Sequence, residues 1–260
     1  VAAVWRMLWR SSPRRRTFWL SRMLLVRGMA LIYLAAFATS AAQSRALFGS
    51  LGLDPSLDRS SGRPTPAFTM LGYSDLALEA VSWAGLLLSM LVAGGLMQWA
   101  GAQLLLWVGY LSIVNLGARS VLGYGWEWAT CEVGFLIIFL TTEWPTRTPF
   151  PRALPPPTVV LLLLRWYVFR LLIGAGQSKL GERSSACWEE LSCTTTHYFT
   201  QPMPNPFAWL FHHLPTAFHR FEVALTFVEQ LALPFLVLMP FRSLQHFAFV
   251  AELGLQLGIV

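Results

Sequence analysis

Charge is what this sequence lacks. Only 12% of its 260 residues are Asp, Glu, Lys or Arg, where a soluble globular domain carries about a quarter. Hydrophobic residues make up 55%, with 12 Trp and 18 Phe, so an ordinary soluble domain is excluded and lipid becomes the main solvent. The sequence has no Asn-x-Ser/Thr acceptor, because Asn115 precedes Leu-Gly and Asn205 precedes Pro. It also lacks the G-x-S-x-G elbow, the H-E-x-x-H zinc motif, the phosphate-binding loop and the dinucleotide fingerprint. With three cysteines and no C-x-x-C pair, neither a zinc site nor a redox motif is indicated, and no cofactor is implied. The net charge of +6 comes largely from Arg6, Arg10, Arg14, Arg15, Arg16 and Arg22. A basic cluster beside an apolar run is a topology signal, and no nucleic-acid-reading spacing follows it.

What is present is a series of apolar runs, and no internal repeat. A span needs about 20 largely apolar residues. Seven stretches qualify as candidates: Phe18–Ala42, Asp75–Met97, Trp99–Gly117, Trp128–Thr142, Thr158–Gly176, Phe221–Met239 and Leu244–Val260. The fourth is short and open to a re-entrant reading. The first is too long for a signal peptide and has no small-residue cleavage site. With Val at position 1 and an apolar run to Val260, the chain reads as a fragment. The fold class is therefore all-α: a polytopic transmembrane bundle over 18–260, preceded by a basic segment, 1–17. Keeping the arginine cluster cytoplasmic and alternating along the chain puts 177–220 on the lumenal side. Pro145–Pro157, with six prolines, then forms a stiff cytoplasmic connector.

Few of these runs are clean. Glu79, Glu132, Arg165, Arg170, Glu229 and Glu252 fall where an unshielded charge costs several kcal/mol, so the helices are expected to pack together. His219, Glu222, Thr226 and Glu229 recur at spacings of three and four, on one helix face, with Arg165 and Arg170 as natural partners. They read either as structural ion pairs or as a polar cavity or proton path. Gly174 and Ser178 form a small-xxx-small pair, a signal for close helix approach. Cys131 reads as an inert buried thiol.

Between the last two pairs of runs lies "CWEELSCTTTHYFTQPMPNPFAW", from Cys187 to Trp209. Two cysteines this close on an oxidising side suit a small disulfide loop. The Gln201–Pro206 stretch is too proline-rich for regular helix and reads as a rigid exposed strip. The adjacent His212 and His213 point about 100° apart on a helix and would not chelate together.

These residues bring a family into view. "GAGQSKL" at Gly174–Leu180, "CWEEL" at Cys187–Leu191, "HYFTQPMPNP" at His197–Pro206, "HHLP" at His212–Pro215, "FHRFE" at Phe218–Glu222 and "VEQLALPF" at Val228–Phe235 resemble the lipase maturation factor family. So do "GYGWEW" at Gly123–Trp128 and "WLSRMLLVRGMALIYLAAF" at Trp19–Phe37. The resemblance implies a multi-pass endoplasmic-reticulum membrane protein that helps secreted dimeric lipases, such as lipoprotein lipase, reach an active fold. It implies no lipase activity of its own, and a further lumenal domain that this chain lacks. Client lipases and membrane lipid are then the partners. In that reading Cys187 and Cys193 shape the loop, and His197, Tyr198, Gln201, Pro202, Pro204, Asn205 and Pro206 face the client. "AGQSKL" at Ala175–Leu180 is also similar to the membrane domain of vitamin K-dependent γ-carboxylase, where the matching lysine takes part in the chemistry. Lys179 is thus a candidate base, or a snorkelling interfacial cation. Three functions follow: an assembly factor, an intramembrane enzyme using Lys179, or a transporter with a polar path through Glu229, Glu252 and the arginines.

Overall fold

The computed structural model describes residues 18–55, 62–118, 122–141, 155–181, 184–200 and 206–259. Arg6, Arg10, Arg14, Arg15 and Arg16, together with Gln201, Pro202, Pro204 and Asn205, lie outside the described residues. Every regular element among those described is a helix. Residues fall into two compact units, 1–162 and 163–260.

In the first unit α1 (Trp19–Phe48), α2 (Pro66–Leu71), α3 (Asp75–Ala93), α4 (Ala100–Gly117) and α5 (Gly125–Ile138) follow one another. The long helices arise because their residues are apolar on nearly every face. In lipid such a segment can satisfy its backbone only within itself. α1 and α3 pack closely, as Gly85 allows: a Cβ there would run into the ring of Phe37. Tyr33, Phe37 and Tyr110 pack tilted or edge-to-face in the core with centroids 5.5–6.1 Å apart. Ser74 caps α3 by accepting from the Ala77 amide at 3.1 Å. Asp75 in its first turn accepts from the Ser50 amide and hydroxyl, each at 2.8 Å, which ties down the chain leaving α1.

The charges of this unit are placed differently from the sequence expectation. Arg22, counted above with the basic cluster, is only 6% exposed. It donates from Nε and a terminal nitrogen to the Leu140 carbonyl at 3.0 and 2.7 Å, so it closes the carbonyl end of α5 rather than facing the headgroups. Glu79 meets Arg45 at 2.8 Å, and neither side chain is buried. Cys131 is a free, buried thiol.

The unit boundary falls inside α6 (Thr158–Gln177). After it come three short helices, α7 (Ala186–Glu189), α8 (Thr194–Thr200) and α9 (Ala208–His212), then α10 (Thr216–Phe227). A π-helical turn, Val228–Ala232, leads into α11 (Pro234–Leu238), and α12 (Arg242–Ile259) ends the chain. The π turn has a local cause. Pro234 offers no amide to the ladder, and its ring crowds the carbonyl four residues back. The helix widens just ahead of it, the Leu233 amide reaching Val228 O at 3.0 Å.

Five of these helical stretches are long and apolar enough to cross a membrane: Trp19–Phe48, Asp75–Ala93, Ala100–Gly117, Thr158–Gln177 and Thr216–Leu238. They correspond to five of the seven apolar runs. The fourth run becomes α5, whose 14 residues are short for a span. The seventh becomes α12, of 18 residues, where Arg242, Gln245, His246 and Glu252 dilute the apolar side chains. The fold is that of a polytopic helical membrane protein.

Candidate functional site

Within the second unit a cavity of about 540 Å³ opens between the end of α6, the short helices α7 and α8, α10 with its π turn, and α12. Many of the polar residues singled out in this half of the sequence line it, among them Lys179, Glu222, Thr226 and Glu229. Cys187 and Cys193 are joined in a disulfide, their Cα atoms 4.7 Å apart. The closed loop is completed by the Ser192 amide donating to Cys187 O at 2.8 Å. Its backbone turns at Leu191, whose φ is 56°.

The loop has a consequence for Lys179, the only lysine in the sequence. Trp188, held next to Cys187, lies over the lysine with Nζ 5.1 Å from its ring centroid. The same ring packs edge-on against Phe227 at 6.1 Å. Lys179 Nζ donates to Ala175 O at 2.9 Å and to Gln230 Oε1 at 2.7 Å. Burial pulls this amine below its ordinary range. Lys179 therefore does not snorkel outward. Two carbonyl acceptors and an aromatic face hold it as a solvated cation would be held by water.

Across the cavity, Glu222 is satisfied at both oxygens. Tyr198 donates its hydroxyl to Oε1, and His219 Nδ1 lies 3.2 Å from Oε2. Burial, followed by that bond to Glu222, pushes the Tyr198 phenol up. The predicted face of α10 is present: Glu222, Thr226 and Glu229 all line the cavity, with His219 buried behind them. Thr226 donates to Glu222 O at 2.9 Å and Thr194 to His219 O at 3.1 Å. Glu229 and Gln230 are each 6% exposed. On an α-helix, neighbours diverge by about 100°, whereas the π turn buries both.

Several expectations are corrected. Arg165 and Arg170 do not line this cavity; Arg170 sits over the Tyr167 ring at 6.0 Å, and the ionic contact of Glu222 is with His219. Tyr198, expected to face a client, is buried with its hydroxyl on Glu222, while His197 beside it is exposed. Pro206 is exposed in a turn. Gly174 makes no close helix contact, since a Cβ there would meet nothing within 4 Å. The close approach is at Gly176, where a Cβ would lie 2.6 Å from Leu231 Cδ2. Glu252 has both carboxyl oxygens buried without a hydrogen-bond partner among the described residues. Two functional side chains were not singled out from sequence, Trp188 and Gln230. The proline four residues beyond Gln230 is the signal that could have found it. Among the described residues no group of three His, Cys, Asp or Glu is placed to hold a metal ion.

No solved structure matches the chain. It is 37% identical over 245 residues to lipase maturation factor 1 of Bos taurus, covering 87% of this chain and 43% of that protein. It is 34% identical over 262 residues to lipase maturation factor 2 of Rattus norvegicus, covering 91% and 36% respectively. The chain thus spans well under half the length of these curated relatives. The profile of the lipase maturation factor transmembrane domain matches residues 20–260. That match runs through the disulfide loop, Lys179 and the cavity, and through the short stretch that resembles γ-carboxylase. The chain belongs to the lipase maturation factor family.

Proposed function

We propose that this chain is the membrane-embedded part of an endoplasmic-reticulum factor that helps secreted lipases, lipoprotein lipase among them, to fold and assemble. The observation that carries this reading is the family match across residues 20–260. The relatives are named as maturation factors, not enzymes. Disulfides persist in oxidising compartments, so the Cys187–Cys193 bridge supports a lumenal position for 177–220 and, with it, a cytoplasmic N-terminus. In this reading the bundle holds the pinned segment, the exposed His197 and Pro206 meet the client, and the Gln201–Asn205 sequence between them is assigned to the same surface.

The geometry of Lys179 bears on the competing enzymatic reading. Lys179 donates to two carbonyl oxygens, which suits an ammonium with one N–H left over or a neutral amine with its lone pair left over, so the two readings are separated by substitution. The test is to restore the full-length protein to cells lacking it and assay secreted lipase activity, wild type against Lys179→Arg. Arginine keeps the charge and the donors but cannot give up a proton at neutral pH. Equal recovery is expected. Loss of recovery, with the variant present at the same level and location, would make Lys179 a proton-transferring group and the protein an enzyme.

A further inference from the structure

The donors and acceptors of the cavity are unevenly used, and the imbalance describes a ligand. Glu222 has partners on both oxygens. Glu229 has none among the described residues, although it is buried and lines the space. The hydroxyls of Thr194 and Thr226 spend their protons on backbone carbonyls, which leaves their oxygens as further acceptors facing the cavity. One side of the site therefore asks for a group with several N–H donors. At the other side Lys179 has three N–H donors, of which two are committed. The third has the Trp188 ring as its neighbour, 5.1 Å from Nζ to the centroid, a weak partner that an anionic oxygen can displace.

The wall beyond is apolar. Leu225 and Leu255 line the cavity, and Phe221, Val228 and Leu253 expose apolar surface on the same helices, α10 with its π turn and α12. α10 and its π turn belong to a stretch long and apolar enough to cross a membrane, Thr216–Leu238, and α12 packs against that turn, so their joint apolar surface suits acyl chains. A volume of about 540 Å³ lies in the range of small-molecule sites, about 300–1,000 Å³. It accommodates a polar headgroup while leaving two long chains outside.

We propose that this cavity binds the headgroup of an aminophospholipid. The primary ammonium docks on Glu229 and the two threonine oxygens, the phosphate takes the third donor of Lys179, and the acyl chains lie along α10 and α12. Trp188 and the disulfide loop form the roof, so the bridge that fixes the loop also completes the site. The proposal stands independently of the lipase reading.

The test uses purified full-length protein with phosphatidylethanolamine, phosphatidylcholine and phosphatidylglycerol offered at equal amounts, retained lipid being counted by native mass spectrometry. Phosphatidylethanolamine should be retained in preference, with phosphatidylcholine, whose quaternary ammonium has no N–H, about tenfold weaker or more. Glu229→Gln should lose a similar factor for phosphatidylethanolamine and so erase the selectivity. Leu225→Trp fills the cavity without touching either charge and should weaken binding of all three lipids. Equal retention of the ethanolamine and choline lipids by the wild type would overturn the proposal without any variant. So would undiminished selectivity in folded Glu229→Gln. Soluble phosphoethanolamine should compete only at far higher concentration; if it bound as tightly as the lipid, the assignment to a lipid would fall.

Discussion

Gly174 and Gly176 sit two residues apart on α6 and meet opposite surroundings. A Cβ on Gly174 enters open space, while one on Gly176 would lie 2.6 Å from Leu231 Cδ2, 2.9 Å from Leu231 Cγ and 3.2 Å from Gln230 Cβ. Gly174→Ala should therefore be neutral or stabilising by up to about 1 kcal/mol, the helix-propensity difference. Gly176→Ala should destabilise by about 1–3 kcal/mol as α6 is pushed off the π turn. Thermal unfolding of the two variants in a mild detergent compares them directly, and equal midpoints would contradict this packing. The sequence pattern pointed to Gly174 with Ser178 because a four-residue spacing identifies a shared face, and nothing in the spacing says which face has a neighbour. Lys179 was legible for a different reason: a lone cation after an apolar helix must find compensation, whatever the fold. Its partners were not legible, because one is a side chain 51 positions away, brought near only when the helices pack.

At the scale of elements, the disulfide loop is the piece whose removal has the clearest reading. It spans a sequence separation of 6, and closing so short a loop contributes about 2 kcal/mol by chain entropy. Cys187→Ala should lower stability by about that amount while leaving the long helices intact by circular dichroism. It should also free Trp188, and Lys179 should then react faster with an amine-directed reagent, read at that residue by mass spectrometry. Unchanged reactivity would mean that Phe227 alone keeps Trp188 in place. The long helices could be read from sequence because apolar runs in lipid have one way to satisfy their backbone. The short helices α7, α8 and α9 were not, since four to seven residues carry no usable periodicity. The face formed by Glu222, Thr226 and Glu229 was anticipated from spacing. Gln230 was missed because the widening ahead of Pro234 turns it inward, and spacing rules assume an unbroken α-helix.

For the whole molecule, the proposed orientation depends on a parity that α5 decides. With the N-terminus cytoplasmic, α1, α3 and α4 leave the chain on the lumenal side before α5. If α5 crosses, α6 starts from the cytoplasm and delivers the Cys187–Cys193 loop to the lumen. If it turns back instead, the loop ends in the reducing cytosol, where its disulfide would not persist. The 14 residues of α5 rise about 21 Å, short of a hydrocarbon core of about 30 Å, so a crossing needs local thinning of the bilayer or help from the chain beyond it. Arg22, buried against the Leu140 carbonyl, supplies that help by satisfying backbone just past the helix end. The bridge therefore favours a short helix that crosses. Because the sequence has no Asn-x-Ser/Thr acceptor, single acceptors can be introduced on a silent background. One placed between Ser184 and Ala186 should be glycosylated in microsomes, and one placed in the proline-rich connector near Arg147 should not. The reverse pattern would put the bridge in the cytosol and require the lumenal reading of 177–220 to be abandoned. Modification at both would mean that α6 does not cross, and that the second unit reaches the lumen by another route.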